Sequence, residues 1–237
     1  MIWLSCKMQL FFAPDVSENL HTLPESESKH LIRVLRKKVD DEIHLTDGMG
    51  NLYRTRIQDA NPKRCVLNVL SKDFHANQLK RDIHVAISPI KSNDRMEWFV
   101  EKATEVGISS ITPILCDRSE RKKINVDRLE KVVISAMKQS NRFHLPTVHP
   151  MHLLEDFIQK DSSDNKLVAH CLPDNRKELH QLQLGSSVSI LIGPEGDFHP
   201  TEIEKAIQHG YQPVSLGSAR LRTETAGIVA CNFLNFL

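Results

Sequence analysis

The chain has 237 residues, 40% of them hydrophobic and 26% charged, with a formal net charge of +1 at pH 7. That is the balance of a folded domain or two, and it excludes a disordered, collagen-like or disulfide-stapled chain. No apolar run is long enough to span a bilayer, so a membrane helix is excluded, and near-neutral charge by itself points to no nucleic-acid partner.

The N-terminus shows neither the length nor the basic start of a signal peptide, and a more regular stretch opens at Met8. Residues 1–7 are therefore expected to be an extension upstream of the natural start. The five cysteines (Cys6, Cys65, Cys116, Cys171, Cys231) are scattered without paired ligand spacing, as expected of a protein in the reducing cytoplasm. The densest histidines, His144, His149 and His152, match no metal template, and no metal is expected.

Residues 28–38 carry Leu31, Val34 and Leu35 on one helical face. Alternation over 42–46 and 52–57, with Asp47, Gly48 and Gly50 between, predicts a hairpin; 65–70 follow as another strand after the turn at Asn61-Pro62. A small β-barrel domain over 8–74 and a polar linker over 75–81 are expected. From Asp82 the pattern changes. Strands over 83–87, 111–115, 166–170, 188–192 and 212–216 alternate with helices. The first helix is capped by Asn93 or Asp94 and stops at Gly107. Others are expected at 126–137 and 199–210, and the last starts near Thr223. Such alternation predicts a largely parallel sheet with helices on both faces, over 82–237.

Two loops carry the chemistry. In the first, a buried strand runs through Ile192 into Gly193-Pro-Glu-Gly196, and a helix follows. Ligands of α/β sheets bind beyond the carboxyl ends of strands, where this turn falls; a plain strand-to-helix turn is the alternative. Neither a dinucleotide fingerprint nor a phosphate loop is present, and Glu195 would repel a phosphate but tolerate a cation such as a sulfonium. In the second, a strand ends at Leu216-Gly217 and leads through Arg220, Leu221 and Arg222 to Thr223, Glu224, Thr225 and Ala226. Thr223 and Glu224 read as helix capping, whereas two arginines beside a pocket offer forks for an RNA phosphate or a uracil carbonyl.

The Gly-Pro-Glu-Gly turn, followed by Leu216-Gly217 and Leu221-Arg-Thr-Glu-Thr-Ala226, resembles the RsmE-type ribosomal RNA methyltransferases. Segments 101–107, 139–146 and 30–36 agree in order, so the likeness spans about 8–236. The resemblance implies a SPOUT-type trefoil-knotted parallel sheet joined to an N-terminal PUA-like RNA-binding barrel. It also implies a cytoplasmic homodimer that uses S-adenosylmethionine to methylate N3 of a uridine in 16S ribosomal RNA or the small ribosomal subunit. On that likeness, Leu172, Ile192, Gly193, Pro194, Glu195, Gly196, Leu216, Gly217, Leu221, Thr223, Thr225 and Ala226 are expected to hold the cofactor. Arg222 would stabilise or orient the uracil, and Glu224 would orient it or take its proton. The RNA would lie on Arg33, Arg36, Lys37 and Lys38 in the small domain, and on Arg118, Arg121, Lys122, Lys123, Arg142 and Arg220 in the large one. Two positions depart from the family pattern: Asp197, where glycine is usual, and Ala219-Arg220, where Arg-Ile is usual. A knotted enzyme acting elsewhere on RNA, such as a transfer-RNA ribose, and a non-catalytic RNA-binding or assembly protein are the alternatives.

Overall fold

The computed structural model describes residues 8–17, 19–172 and 176–236, so Cys6 and the expected extension over 1–7 lie outside the described residues. The chain forms two compact units. The first takes residues up to Gln78 together with Met137–Leu145, and the second takes Leu79–Ala136 and Pro146 onward.

The first unit is a five-stranded sheet built from β1 (Leu10–Phe12), β2 (Leu20–Thr22), β3 (Glu42–Thr46), β4 (Asn51–Asp59) and β5 (Val66–Phe74), in the order β1-β3-β4-β5-β2. Tyr53, Thr55 and Ile57 are buried and alternate with exposed Arg54, Arg56 and Gln58, the period-2 pattern of a strand with one wet face. The hairpin turn is fixed by Asp47, whose carboxylate accepts from the Met49 amide at 2.8 Å and from the Asn51 side chain. The helix α1 (Glu25–Lys29) is bound to the sheet through Ser28, whose hydroxyl donates to Leu23 O at 3.0 Å and accepts from Cys65 N at 2.9 Å.

Past Lys29 the helix widens into a π-turn (His30–Val34), with Leu35 N bonded to His30 O at 3.0 Å. This rotates the face. Leu31 is fully buried and Leu35 is partly buried, but Val34 is 65% exposed, against the helical period that groups all three. A left-handed Arg36 (φ 55°) then ends the turn, short of the expected 38.

The second unit begins with β6 (Asp82–Ile87), α2 (Asn93–Val106), β7 (Ser110–Leu115) and α3 (Val126–Gln139), whose last residues fall in the first unit. It continues with β8 (Thr147–Val148), β9 (His152–Leu153), α4 (Leu154–Lys160), β10 (Asn165–Ala169), β11 (Lys177–Glu178), β12 (Ser187–Ile192), α5 (Pro200–Gln208), β13 (Gln212–Ser215) and α6 (Thr223–Phe236). The strands run in the order β11-β13-β10-β12-β6-β7-β8, with β9 also on β7, and every pairing is parallel. Ser92, rather than Asn93 or Asp94, caps α2 by accepting from Arg95 N at 3.4 Å. The short β8, β9 and β11 and the helix α4 carry too few residues for a periodic signal.

Both faces of this sheet are covered. Leu154, Phe157 and Ile158 of α4 and Ile203 and Ala206 of α5 pack with Ala86, Val168 and Leu191 on one side. On the other, α6 packs against β6, β12 and α2. Since β13 lies beyond β10, the chain after it must cross back past the end of β10 to reach that face. This is the crossing on which a knotted sheet depends, against the usual rule for connections. Gly227 permits the close fit: a Cβ there would stand 2.5 Å from the ring of Phe99, which is fully buried. A Gly227→Val chain would lose the match. Overpacking costs about 1–3 kcal/mol, more than the ~1 kcal/mol that removing a helical glycine returns. A melting temperature lower by several degrees is expected; an unchanged one would show that the contact is soft.

A polar cleft lies at the opposite, N-terminal end of the strands, lined by Asp82, His84, Thr112, His149, His152 and Asp161 among others. His84 meets Thr112 Oγ1 at 2.7 Å and stands edge-on to Phe157. Burial, helped by His149 and opposed by Asp161 and Asp82, lowers its pKa from 6.5 to about 4. The unfolded chain therefore binds a proton in this window that the folded chain refuses. Stability is full above about pH 6.5 and falls as pH drops toward 4, by about 3 kcal/mol from this group. Melting curves of the wild type and His84→Gln across that range should converge at low pH; parallel curves would exclude His84 as the source.

Candidate active site

Three loops leave the carboxyl ends of β10, β12 and β13 and enclose a cavity of about 420 Å³, within the range of small-molecule sites. The wall after β12 is the Gly193–Asp197 turn. Asp197 N donates to Pro194 O at 2.9 Å, and Glu195 Oε1 accepts from Lys91 N at 3.0 Å. Arg118 holds the turn from outside, its Nη1 donating to Gly196 O at 3.0 Å and to Phe198 O at 3.3 Å. Behind it, α5 starts with a capping box: His199 accepts from the first turn, while Glu202 accepts from His199 N at 2.8 Å. The same Glu202 accepts from Asp117 N at 2.9 Å, which anchors the loop after β7 to α5.

The wall after β13 turns at Gly217, whose φ of 115° suits glycine alone among the residues of this loop, and Ser215 Oγ donates to its carbonyl at 3.2 Å. Arg220 and Arg222 are exposed at the cavity's lip. Thr223 and Glu224 are buried where α6 begins. Glu224 is the singular group here. Its Oε1 stands 3.7 Å from Arg95 Nε of α2, while its Oε2 is buried with no hydrogen-bond partner among the described residues. An acceptor held this way is costly unless a ligand donor meets it.

Of the residues expected at a cofactor, Ile192, Gly193, Pro194, Glu195, Leu216, Gly217, Leu221, Thr223 and Ala226 line the cavity, together with Arg220, Arg222 and Glu224. Leu172, Gly196 and Thr225 do not. Gly196 faces Arg118 instead, with the arginine's Cδ 3.7 Å from where a Cβ would stand. Arg95, Ala169, His170, Cys171, Arg176, Asp197, Val214, Ser215 and Ala219 also line it, beyond those expected from the sequence. The signal for Arg95 was present, since it sits in the first turn of the helix after β6; its approach to Glu224 depends on how α2 and α6 pack.

The expected RNA contacts fall in different surroundings. Arg33 and Arg36 are exposed and Lys37 is half-buried. Arg121 donates to Asn93 Oδ1, and Arg118 is engaged with the loop as described. Arg142 belongs to the first unit, and burial lowers the pKa of its guanidinium below the ordinary arginine value. Among the described residues no group of three or more His, Cys, Asp or Glu could hold a metal ion.

A parallel sheet with a returning C-terminal helix, and a cavity set among glycine loops at its strand ends, defines a cofactor-binding α/β protein of the knotted class. Comparison with known proteins makes this particular. Residues 77–235 match the RNA methyltransferase domain, and residues 23–70 the RNA methyltransferase PUA domain. The Ribosomal RNA small subunit methyltransferase E of Synechocystis sp. is 31% identical, covering 97% of this chain and 77% of its own. The protein of the same name from Neisseria gonorrhoeae, solved bound to S-adenosyl methionine, is 29% identical with a TM-score of 0.87 over 95% of each chain. A crystal structure from Porphyromonas gingivalis is 39% identical with a TM-score of 0.89, over 95% of this chain and 96% of that one. The chain belongs to the RNA methyltransferase family of the small-subunit methyltransferase E proteins.

Proposed function

We propose that this protein methylates N3 of a uridine in small-subunit ribosomal RNA, with S-adenosylmethionine as donor. The observation that carries the chemistry is the buried Glu224, with one open oxygen, in a cavity whose lip bears Arg220 and Arg222. The residues fit the cofactor. The cavity volume suits a molecule of that class, its walls are glycine turns that let backbone approach closely, and the buried Glu224 carboxylate favours a cationic ligand. Ile192, Gly193, Leu216, Leu221 and Ala226 would hold it.

When bound, the sulfonium supplies an electrophilic methyl group for in-line displacement. Uracil N3 must lose its proton as its bond to carbon forms. Glu224, held by Arg95 on one oxygen, accepts that proton on the other. Arg222 orients the base and offsets the negative charge that develops on the flanking carbonyls. Alignment of the two reactants supplies much of the remaining rate.

The first unit, with Arg33, Arg36 and Lys37, is the reading's RNA-holding module; its match to a PUA domain of RNA methyltransferases supports this. The same reading includes a homodimer acting in the cytoplasm. Titration calorimetry with S-adenosylmethionine separates an enzyme from a binding module. Mapping the modified nucleotide in ribosomal RNA from a deletion strain, with and without the restored gene, tests the position. A methyl group appearing on a ribose hydroxyl would replace the uridine reading.

A further inference from the structure

Asp197 stands in the left-handed region, at φ 63°, a conformation that side chains other than Asn and Asp adopt with strain. Its carboxylate uses this posture. One oxygen accepts from the Cys171 amide at 2.8 Å, in the loop after β10, and the other accepts from Phe198 N at 2.8 Å in its own loop. Its own amide donates to Pro194 O. One side chain thus joins two walls of the cavity that are 26 residues apart in sequence, and both Asp197 and Cys171 line the cavity. Charge-assisted bonds of this kind are short and strong.

We propose that Asp197 is a positioning residue that holds the β10 and β12 loops at the spacing the methyl donor requires. The inference rests on the reading of this cavity as the S-adenosylmethionine site. Ordering the two walls before the ligand arrives lowers the cost of binding, so the effect falls on affinity rather than on the chemical step.

Asp197→Gly keeps the backbone posture and removes both acceptors; Asp197→Asn keeps the posture and one acceptor for the Cys171 amide. For Asp197→Gly, calorimetry with S-adenosylmethionine should give a Kd raised about tenfold. KM for the donor should rise with it while kcat at saturation stays near the wild-type value. Asp197→Asn should recover most of the affinity, and hydrogen exchange at the Cys171 amide should accelerate in the glycine variant alone. Wild-type affinity in Asp197→Gly, or equal loss in both variants, would overturn the proposal. Failure of the wild type to bind the donor would instead overturn the cofactor reading. An unaltered Cys171 exchange rate in Asp197→Gly would then reject the loop coupling itself.

Discussion

Replacing Arg222 by alanine is expected to lower methyl transfer about a hundredfold or more, with folding intact. The side chain is exposed at the cavity lip, so its removal leaves no buried void and no orphaned partner. Its loss is therefore read in catalysis alone. Removing one preorganised donor to a developing anion typically costs about 10²–10³ in rate, near 3–4 kcal/mol of transition-state stabilisation. Arg222→Lys should restore only part of this, because an ammonium lacks the planar fork. The decisive measurement is single-turnover transfer to RNA at saturating cofactor, alongside a thermal melt. Near-normal turnover in a folded Arg222→Ala chain would remove the residue from the mechanism.

Glu224→Gln is expected to cost about 10²–10³-fold in turnover, within the span of general-base contributions. The amide preserves shape, and it removes a buried carboxylate whose Oε2 has no partner among the described residues, so stability should hold or rise. The pH dependence separates a base from a mere orienting group. Without the carboxylate, the residual rate should climb with pH as uracil ionises unaided, and the difference from wild type should shrink. A rate deficit constant across pH would assign Glu224 to orientation only. Arg95→Ala should produce a milder version of the same profile, since Arg95 Nε stands 3.7 Å from Glu224 Oε1 and is itself half-exposed.

Much of the second unit is legible because its signals are local. Buried parallel strands read as apolar runs, and Gly107 and Gly210 close helices with positive φ as their positions suggest. The loops after β12 and β13 stand out for their glycines, and nine of the residues expected there line one cavity. In the first unit the alternation of β3 and β4 is equally plain. Elsewhere a local rule gives way to a change of helical register or to a distant partner. Val34 leaves the buried face because a π-turn shifts the helical register. The segment Met137–Leu145 joins the first unit through pairings remote in sequence, such as Gly50 N to Phe143 O at 2.8 Å.

Sequence by itself determined the class of strand and helix at most positions, the two glycine loops and the acid and arginines beside them. Those features depend on periodicity and backbone preference, which act over a few neighbouring residues. Tertiary structure alone decided which polar groups meet. It placed Arg118 on the Gly196 carbonyl, brought Arg95 to Glu224, and set the Asp197 carboxylate against the Cys171 amide. Each of these depends on how loops and helices from separate parts of the chain pack at one end of a sheet. The cost of leaving a polar group unpaired there is settled only by the packed chain, and no spacing in the sequence records it.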